Sequence, residues 1–377
     1  MTSWPTCLPQ ATRRMHCFKT DSGGENGAFH GRLHAPSLVL HTAKPLPALL
    51  SVPRKTMNPS IRSLLTLILL FLIQAKLISA KPFAANENFQ VLKDAGKILF
   101  LGDSITYGGE YVVFFERWLR VNHPELKPEI LNQGIPSETA SGLSEPGHLR
   151  HGFARPDLHE RLDRALKALN PDLVIACYGI NCGIYQPLDE GRFQKYQQGI
   201  ERLKEKVEAR GAKILFMTPP VYDKPRPDFD YDDVMAAYAK WLVSKRADGW
   251  AVIDLHTVMK EKLREKRKQN PAFKYSRDGI HPGTEGHELI AQQVIDFFAI
   301  KPSLEDPHPN TYGRMMMPLR DRMRVLRDAW LTEIGHKRPM RKGRPLDEAK
   351  KIAAENTKKI EENLRTILKA AGKQEAK

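Results

Sequence analysis

Three polar residues in this sequence are of the types needed for nucleophilic acyl transfer. Ser104 lies in Gly-Asp-Ser-Ile-Thr-Tyr-Gly at 102–108, and Asp278 and His281 lie in Asp-Gly-Ile-His-Pro at 278–282. A serine hydroxyl attacks an ester carbonyl when a base removes its proton, and histidine titrates close enough to neutral pH to be that base. A carboxylate three residues earlier can reach the imidazole and fix its tautomer. We therefore predict a catalytic triad of Ser104 (nucleophile), His281 (general acid and base) and Asp278 (orienting group).

Such a reaction also needs hydrogen-bond donors for the oxyanion of the tetrahedral intermediate. The backbone N–H of Ser104, the backbone N–H of Gly134 in Asn-Gln-Gly and the side-chain amide of Asn181 are the candidates. Removing one such donor typically lowers kcat by ~10²–10³-fold. We predict that these three residues form the oxyanion hole.

The surrounding sequence predicts the elements that must position these groups. Short apolar runs predict five strands, over 97–101, 128–132, 172–178, 213–218 and 251–255. Amphipathic stretches predict helices over 110–121, 156–169, 189–210, 230–247, 256–268 and 284–298, the last with Thr284 as its cap. Alternating strands and helices favour a five-stranded parallel sheet in a three-layer α/β/α sandwich. Because active residues gather at the carboxyl ends of such strands, the candidates above are expected to meet there.

These segments resemble those of the SGNH hydrolases, also called the GDSL esterase/lipase superfamily. The letters S, G, N and H match Ser104, Gly134, Asn181 and His281, and the resemblance extends over about residues 97–298. It implies a flavodoxin-like fold and ester hydrolysis without a metal or cofactor. It also implies that Asp103 has a structural role.

One position departs from the pattern of that family. The third block is usually Gly-x-Asn-Asp, whereas Cys182 follows Asn181 here. Cys182 and Cys177 could pair in an oxidising compartment. The favoured alternative is that Cys177 is a buried strand residue and Cys182 a free thiol, because five residues are a short span for good disulfide geometry.

The N-terminal part of the chain predicts export. Within residues 57–80, Arg62 precedes an apolar run over 64–73, and Ser79-Ala80 follows, which is the layout of a signal peptide. The run is shorter than the ~20 apolar residues of a membrane span, so an uncleaved anchor is the less favoured alternative. Since Met57 opens this segment, residues 1–56 are expected to be a disordered leader or not to be translated. The product would be periplasmic or secreted.

The charge distribution argues against a nucleic-acid partner. The net charge is +15, but residues 81–300 carry 31 Lys/Arg and 31 acids, and the excess lies in residues 1–80 and 301–377. Nucleic-acid binders usually carry their positive charge on the folded domain. No metal site is expected, because metal-ligand spacing is lacking at His148, His151 and His159.

Residues 301–377 predict a basic helical extension to the hydrolase domain at 81–300. Helices are expected over 319–334 and 347–371, either packed on the hydrolase domain or mediating a contact with another molecule. Their cations could make weak contact with an anionic surface, although a solvated helix face is favoured.

Together these patterns predict an exported esterase that cleaves a short acyl group, such as acetyl, from a small-molecule or glycan ester. A lysophospholipase or thioesterase, and a non-catalytic glycan-binding protein with the same fold, are the alternatives. The substrate-binding residues are not assigned. Arg150, His151 and Arg155 could contact substrate or lie in a solvated loop, and Tyr107 and Tyr185 could stack on substrate or simply pack.

Overall fold

Five parallel strands form the centre of the protein in a computed structural model that describes residues 85–224, 227–299 and 309–372. The strands are β1 (Lys97–Gly102), β2 (Glu129–Asn132), β3 (Leu173–Cys177), β4 (Lys213–Met217) and β5 (Ala251–Ile253). Their order in the sheet is β2-β1-β3-β4-β5, and every neighbouring pair is parallel. This is the flavodoxin-like order, so the predicted fold class is confirmed.

Both faces of the sheet are covered. Successive strand residues point to opposite faces, and Ile98, Leu99, Phe100 and Leu101 are all 0% exposed. Apolar runs of this kind are typical of strands between two helical layers. The helices are α1 (Ala85–Asp94), α2 (Ser104–Gly108), α3 (Glu110–Asn122), α4 (Leu158–Leu169), α5 (Glu190–Glu208), α6 (Tyr231–Ser244), α7 (Leu255–Gln269), α8 (Thr284–Phe297), α9 (Pro309–Ile334) and α10 (Leu346–Ala370).

The differences from the predicted elements lie at their ends. Strand β5 ends at Ile253 because Asp254 caps α7 and accepts the Thr257 N–H at 3.2 Å. Helix α8 has Gly283 in the cap position, and Thr284 is its first residue rather than its cap. Helices α1 and α2 were not predicted, nor were the 3-10 helices over Pro146–His151 and Lys245–Asp248. Helix α9 begins at Pro309, ten residues before its predicted start.

Helices α9 and α10 pack against each other, and α9 also packs on α3 and β2. The contact buries methionine side chains of α9 such as Met315 and Met323, and Arg320 makes a bidentate ion pair with Glu110 at 2.7 and 2.8 Å. Of the two arrangements open for the predicted helical extension, the structure has the one packed on the hydrolase domain. Across residues 85–224, 227–299 and 309–372, no helix has the length and apolar character needed to cross a membrane. The predicted leader and signal peptide lie outside the described residues.

Candidate active site

The structure brings Ser104, His281 and Asp278 together at the carboxyl edge of the sheet. Ser104 is the first residue of α2, immediately after β1, and the other two lie in the loop before α8. The Ser104 Oγ lies 2.8 Å from His281 Nε2, and His281 Nδ1 lies 2.6 Å from Asp278 Oδ2. These distances form a continuous path from hydroxyl to carboxylate, the geometry that a serine nucleophile and its base require.

The loop around Asp278 holds its carboxylate in place. Asp278 Oδ1 accepts the backbone N–H groups of Ile280 at 3.0 Å and of His281 at 2.8 Å. Burial alone would raise the pKa of Asp278, but these bonds and the imidazole outweigh it and lower the pKa to about 2. The carboxylate is therefore ionised at neutral pH. Gly279 has φ +78°, and a Cβ there would lie 2.6 Å from the Asp223 carbonyl oxygen, so only glycine fits.

Asp103 supports the turn that carries the nucleophile. Its Oδ1 accepts the Ile105 N–H at 3.0 Å, which caps α2. Burial raises the pKa of Asp103 to about 7, against the opposing effect of this backbone bond. The contact of Asp103 with the helix N-terminus agrees with a structural role.

Gly134 lies against the same turn. A Cβ on Gly134 would lie 2.3 Å from the Tyr107 backbone nitrogen, so the backbones approach too closely for any side chain. Asn132 joins the two segments: its Nδ2 donates to the Thr106 carbonyl at 2.5 Å, and its Oδ1 accepts the Gly134 N–H at 2.9 Å. The Gly134 N–H therefore already has an acceptor, and an oxyanion must share it with Asn132.

The Asn181 side chain is held by two donors that the sequence did not assign to it. Its Oδ1 accepts from Arg155 Nη1 at 3.0 Å and from the Tyr185 hydroxyl at 3.1 Å, whereas its Nδ2 lies 3.4 Å from the Glu138 carbonyl. Because two donors contact Oδ1, this atom is the carbonyl oxygen of the amide and Nδ2 is its nitrogen. The weakly bonded Nδ2 remains able to donate.

Arg155 and Tyr185 are themselves fixed. Arg155 makes a bidentate ion pair with Glu145, both distances 2.6 Å, and its guanidinium lies 5.1 Å from the centre of the Tyr185 ring. Ile184 and Tyr185 adopt φ of +49° and +54°, which is rare for residues other than glycine. This strained turn carries Tyr185 back towards Asn181. Arg155 is thus ion-paired and holds Asn181 rather than lying in a solvated loop, and Tyr185 packs against it. Contact of either residue with substrate stays a prediction.

Cys182 takes part in the same support as a free thiol. Both Cys177 and Cys182 are buried and unpaired. The Cys182 Sγ accepts the Ala140 N–H at 3.3 Å, and its carbonyl accepts from the Ser141 hydroxyl at 3.0 Å. Burial raises the pKa of Cys182 to about 12. The loop after β3 is thus tied to residues 140–141 without a disulfide.

A buried ion pair lies beneath the site and was not predicted. Arg161 donates to both carboxylate oxygens of Glu138 at 2.7 Å and to the Gln133 carbonyl at 2.7 Å. The Tyr178 hydroxyl donates to Glu138 at 2.7 Å. Arg161 and Glu138 are almost completely buried, so removing either partner would leave an uncompensated charge. The sequence shows only an acid and a base 23 residues apart, with no pattern linking them.

A second His–Asp pair lies elsewhere, beside a cavity of about 790 Å³ that none of the triad residues lines. His256 Nε2 lies 3.1 Å from Asp232 Oδ1, and Asp232 also accepts from Lys260 Nζ at 2.7 Å and from the Tyr222 N–H at 2.8 Å. No serine or cysteine lines this cavity among the described residues. The pair thus has the contacts of a structural ion pair.

Comparison with known proteins identifies the family of this chain. Residues 100–289, half of the chain, match the model of the GDSL-like Lipase/Acylhydrolase family. The chain belongs to this family, that is, to the SGNH-type ester hydrolases. A search of curated proteins finds no match.

Two solved structures illustrate the similarity. An acetylxylan esterase from Geobacillus stearothermophilus, Axe2, is 20% identical with a TM-score of 0.45, and the match covers 57% of this chain and 99% of that one. A gut microbial diltiazem-metabolizing enzyme, BT4096, is 23% identical with a TM-score of 0.44, and the match covers 55% of this chain and 47% of that one.

Proposed function

We propose that this protein is an exported serine esterase that removes short acyl groups, such as acetyl, from polar alcohols including carbohydrates. The observation that carries the proposal is the unbroken path from Ser104 Oγ through His281 to Asp278, with distances of 2.8 and 2.6 Å. The N-terminal stretch 57–80 supports export, because it has the layout of a signal peptide.

The reaction follows from the positions of these groups. His281 Nε2 takes the proton of Ser104 Oγ as the oxygen attacks the ester carbonyl, and the ionised Asp278 stabilises the imidazolium. The oxyanion accepts hydrogen bonds from the Ser104 N–H, the Asn181 Nδ2 and a shared Gly134 N–H. Ser104 begins α2, so its N–H is one of the four that a helix leaves unpaired.

Collapse of the intermediate breaks the bond to the alcohol oxygen, which receives the proton from His281. Water then attacks the acyl-enzyme, with His281 as base, and releases the carboxylic acid and free Ser104. His281 makes every proton transfer in these steps, and none of them uses a metal or cofactor.

The surface supports a short acyl group. A long acyl chain needs an apolar groove, yet Leu188 and Met317 are the large apolar side chains exposed among the described residues. Cationic side chains lie at the nucleophile turn instead: Arg327 donates to the Tyr107 carbonyl, and Arg155 interacts electrostatically with Asp103. A small acyl group on a polar alcohol suits such surroundings.

Weak contact of the basic C-terminal helices with an anionic surface stays a prediction.

The test is hydrolysis of 4-nitrophenyl esters from acetate to decanoate by the purified protein and by Ser104→Ala. We expect turnover that falls as the acyl chain lengthens and that is lost in the variant. Ser244→Ala, a serine at the end of α6, is the matched control and should keep full activity. A folded wild type without turnover on these esters or on acetylated sugars would favour the glycan-binding alternative, and a preference for long chains would favour the lysophospholipase alternative.

A further inference from the structure

The segment that joins α9 to α10 is strongly basic and touches the loop that follows Gly134. Residues 335–345 contain five Lys/Arg and no acid. One of them, Arg338, donates from Nη1 to the Ser137 hydroxyl at 3.1 Å, and its guanidinium lies 4.5 Å from the centre of the Phe153 ring. The C-terminal extension therefore brings a cation to the rim of the active site.

Among the described residues, none forms an ion pair with Arg338. Its side chain is partly buried, and its Nε is buried without an acceptor. Other arginines around the site are paired, Arg155 with Glu145 and Arg320 with Glu110. The buried Nε is closed to solvent, so an anion would have to meet the outer edge of the guanidinium.

Arg338 also interacts electrostatically with two residues that lie beside the proposed catalytic groups. Tyr107 and Arg155 are its electrostatic neighbours: burial and repulsion from Arg155 lower the pKa of Arg338, against the opposing effect of Tyr107. Tyr107 is three residues from Ser104 in the same turn, and Arg155 holds the Asn181 amide. A substrate group bound by Arg338, at the loop that follows Gly134, would therefore lie on the same side of the site as the turn that carries Ser104.

We propose that Arg338 binds a carboxylate carried by the ester substrate, so that the enzyme prefers anionic esters. A carboxylate would supply a counter-charge for the guanidinium of Arg338, whose planar group can meet it in a charge-assisted hydrogen bond. This inference rests on the proposed esterase function and names the substrate class for the same site.

The experiment compares 4-acetoxybenzoate with 4-acetoxybenzamide, and the corresponding 3-isomers, for the wild type, Arg338→Gln and Arg341→Gln. The members of each pair differ in charge at similar size. We expect the wild type to favour a carboxylate by roughly tenfold to a hundredfold in kcat/KM, as for a charge-assisted hydrogen bond. Arg338→Gln should lose this preference through a higher KM for the carboxylate and keep its rate on the amide.

Arg341→Gln is the matched control, because Arg341 is an exposed cation three residues further along the same segment. It should behave as the wild type. Equal rates of the wild type on both members of each pair, or a preference that persists in Arg338→Gln, would overturn the inference. A wild type inactive on all four esters would instead refute the esterase proposal. Calorimetric titration with benzoate then decides on Arg338 alone: weaker binding by Arg338→Gln supports its role, and equal binding rejects it.

Discussion

Replacing Arg155 by methionine tests whether catalysis depends on how the Asn181 amide is held. Methionine keeps much of the apolar length but removes the donor that lies 3.0 Å from Asn181 Oδ1. The Tyr185 hydroxyl, at 3.1 Å, remains as the other donor. The substitution should therefore loosen the amide without removing it.

The expected size of the effect has an upper and a central estimate. Complete loss of an oxyanion donor lowers kcat by ~10²–10³-fold, which is the upper limit. Loss of one charged hydrogen bond is worth about 1.5–3 kcal/mol, or roughly a tenfold to hundredfold change. We expect kcat of Arg155→Met on 4-nitrophenyl acetate to fall by about ten- to a hundredfold with KM little changed, because the bond acts on the transition state rather than on substrate binding.

The assay is a double-mutant cycle with Asn181→Ala, supported by thermal unfolding of each variant. If Arg155 acts through Asn181, Arg155→Met should have little further effect once the amide is gone. Arg155→Lys should recover part of the rate, since lysine can supply one donor, and the exposed Arg210→Met is the control for charge removal. An equal fall in kcat with and without the Asn181 side chain would show that Arg155 does not act through Asn181 and would refute the reasoning. A change in KM alone would also refute it and would assign Arg155 to substrate binding.

Three further predictions concern groups around the site. Because the pKa of Asp103 rises from 3.8 to about 7 on folding, its contribution to stability is fully present below pH 3.8 and is lost as the pH rises through 7. The loss in free energy of unfolding is at most about 4 kcal/mol between pH 4 and 8, and Asp103→Asn should remove it. Urea unfolding across this pH range measures it, and the same pH dependence of stability in the wild type and the variant would contradict the prediction. The thiols of Cys177 and Cys182 are buried and unpaired. Thiol reagents at pH 8 should therefore label these two cysteines only when the protein unfolds, and dithiothreitol should not change Tm. Rapid labelling of Cys177 or Cys182 in the native protein would contradict this. Arg327 donates to the Tyr107 carbonyl at 2.5 Å, and its guanidinium lies 3.6 Å from the centre of the Tyr107 ring. Arg327→Met should therefore lower the free energy of unfolding by about 1–3 kcal/mol. Unchanged stability together with unchanged kcat would show that this contact is dispensable.

The sequence predicted the elements whose signals are local. The apolar run 172–178 indicated a strand buried on both faces, and the segments around Ser104 and His281 indicated residues at the carboxyl edge of the sheet. The structure brings Ser104, Asp278 and His281 together as predicted, and it places Gly134 against the turn that carries Ser104.

The contacts that were missed have no local signal. Arg155 meets Asn181 across 26 residues, and Arg338 meets Ser137 across 201 residues. Nothing in the spacing of these residues distinguishes them from solvated cations, because their partners are set by how α9 and the loop after β2 pack. The acceptor of the Gly134 N–H was missed for a different reason. Asn132 is only two residues away, but an asparagine at a strand end has many local partners available to it.

The packing of α9 on the nucleophile turn has a consequence for synthesis of the protein. The Tyr107 carbonyl finds its partner Arg327 220 residues further along the chain, and the Glu110 carboxylate finds Arg320 after 210. A ribosome that has made the whole sheet and the triad has not yet made the helix that supports the turn. Contacts of such high sequence separation also slow folding. The nascent chain therefore carries Ser104 and His281 well before it carries the support of their turn, and the esterase should gain its final activity only after the C-terminal helices emerge.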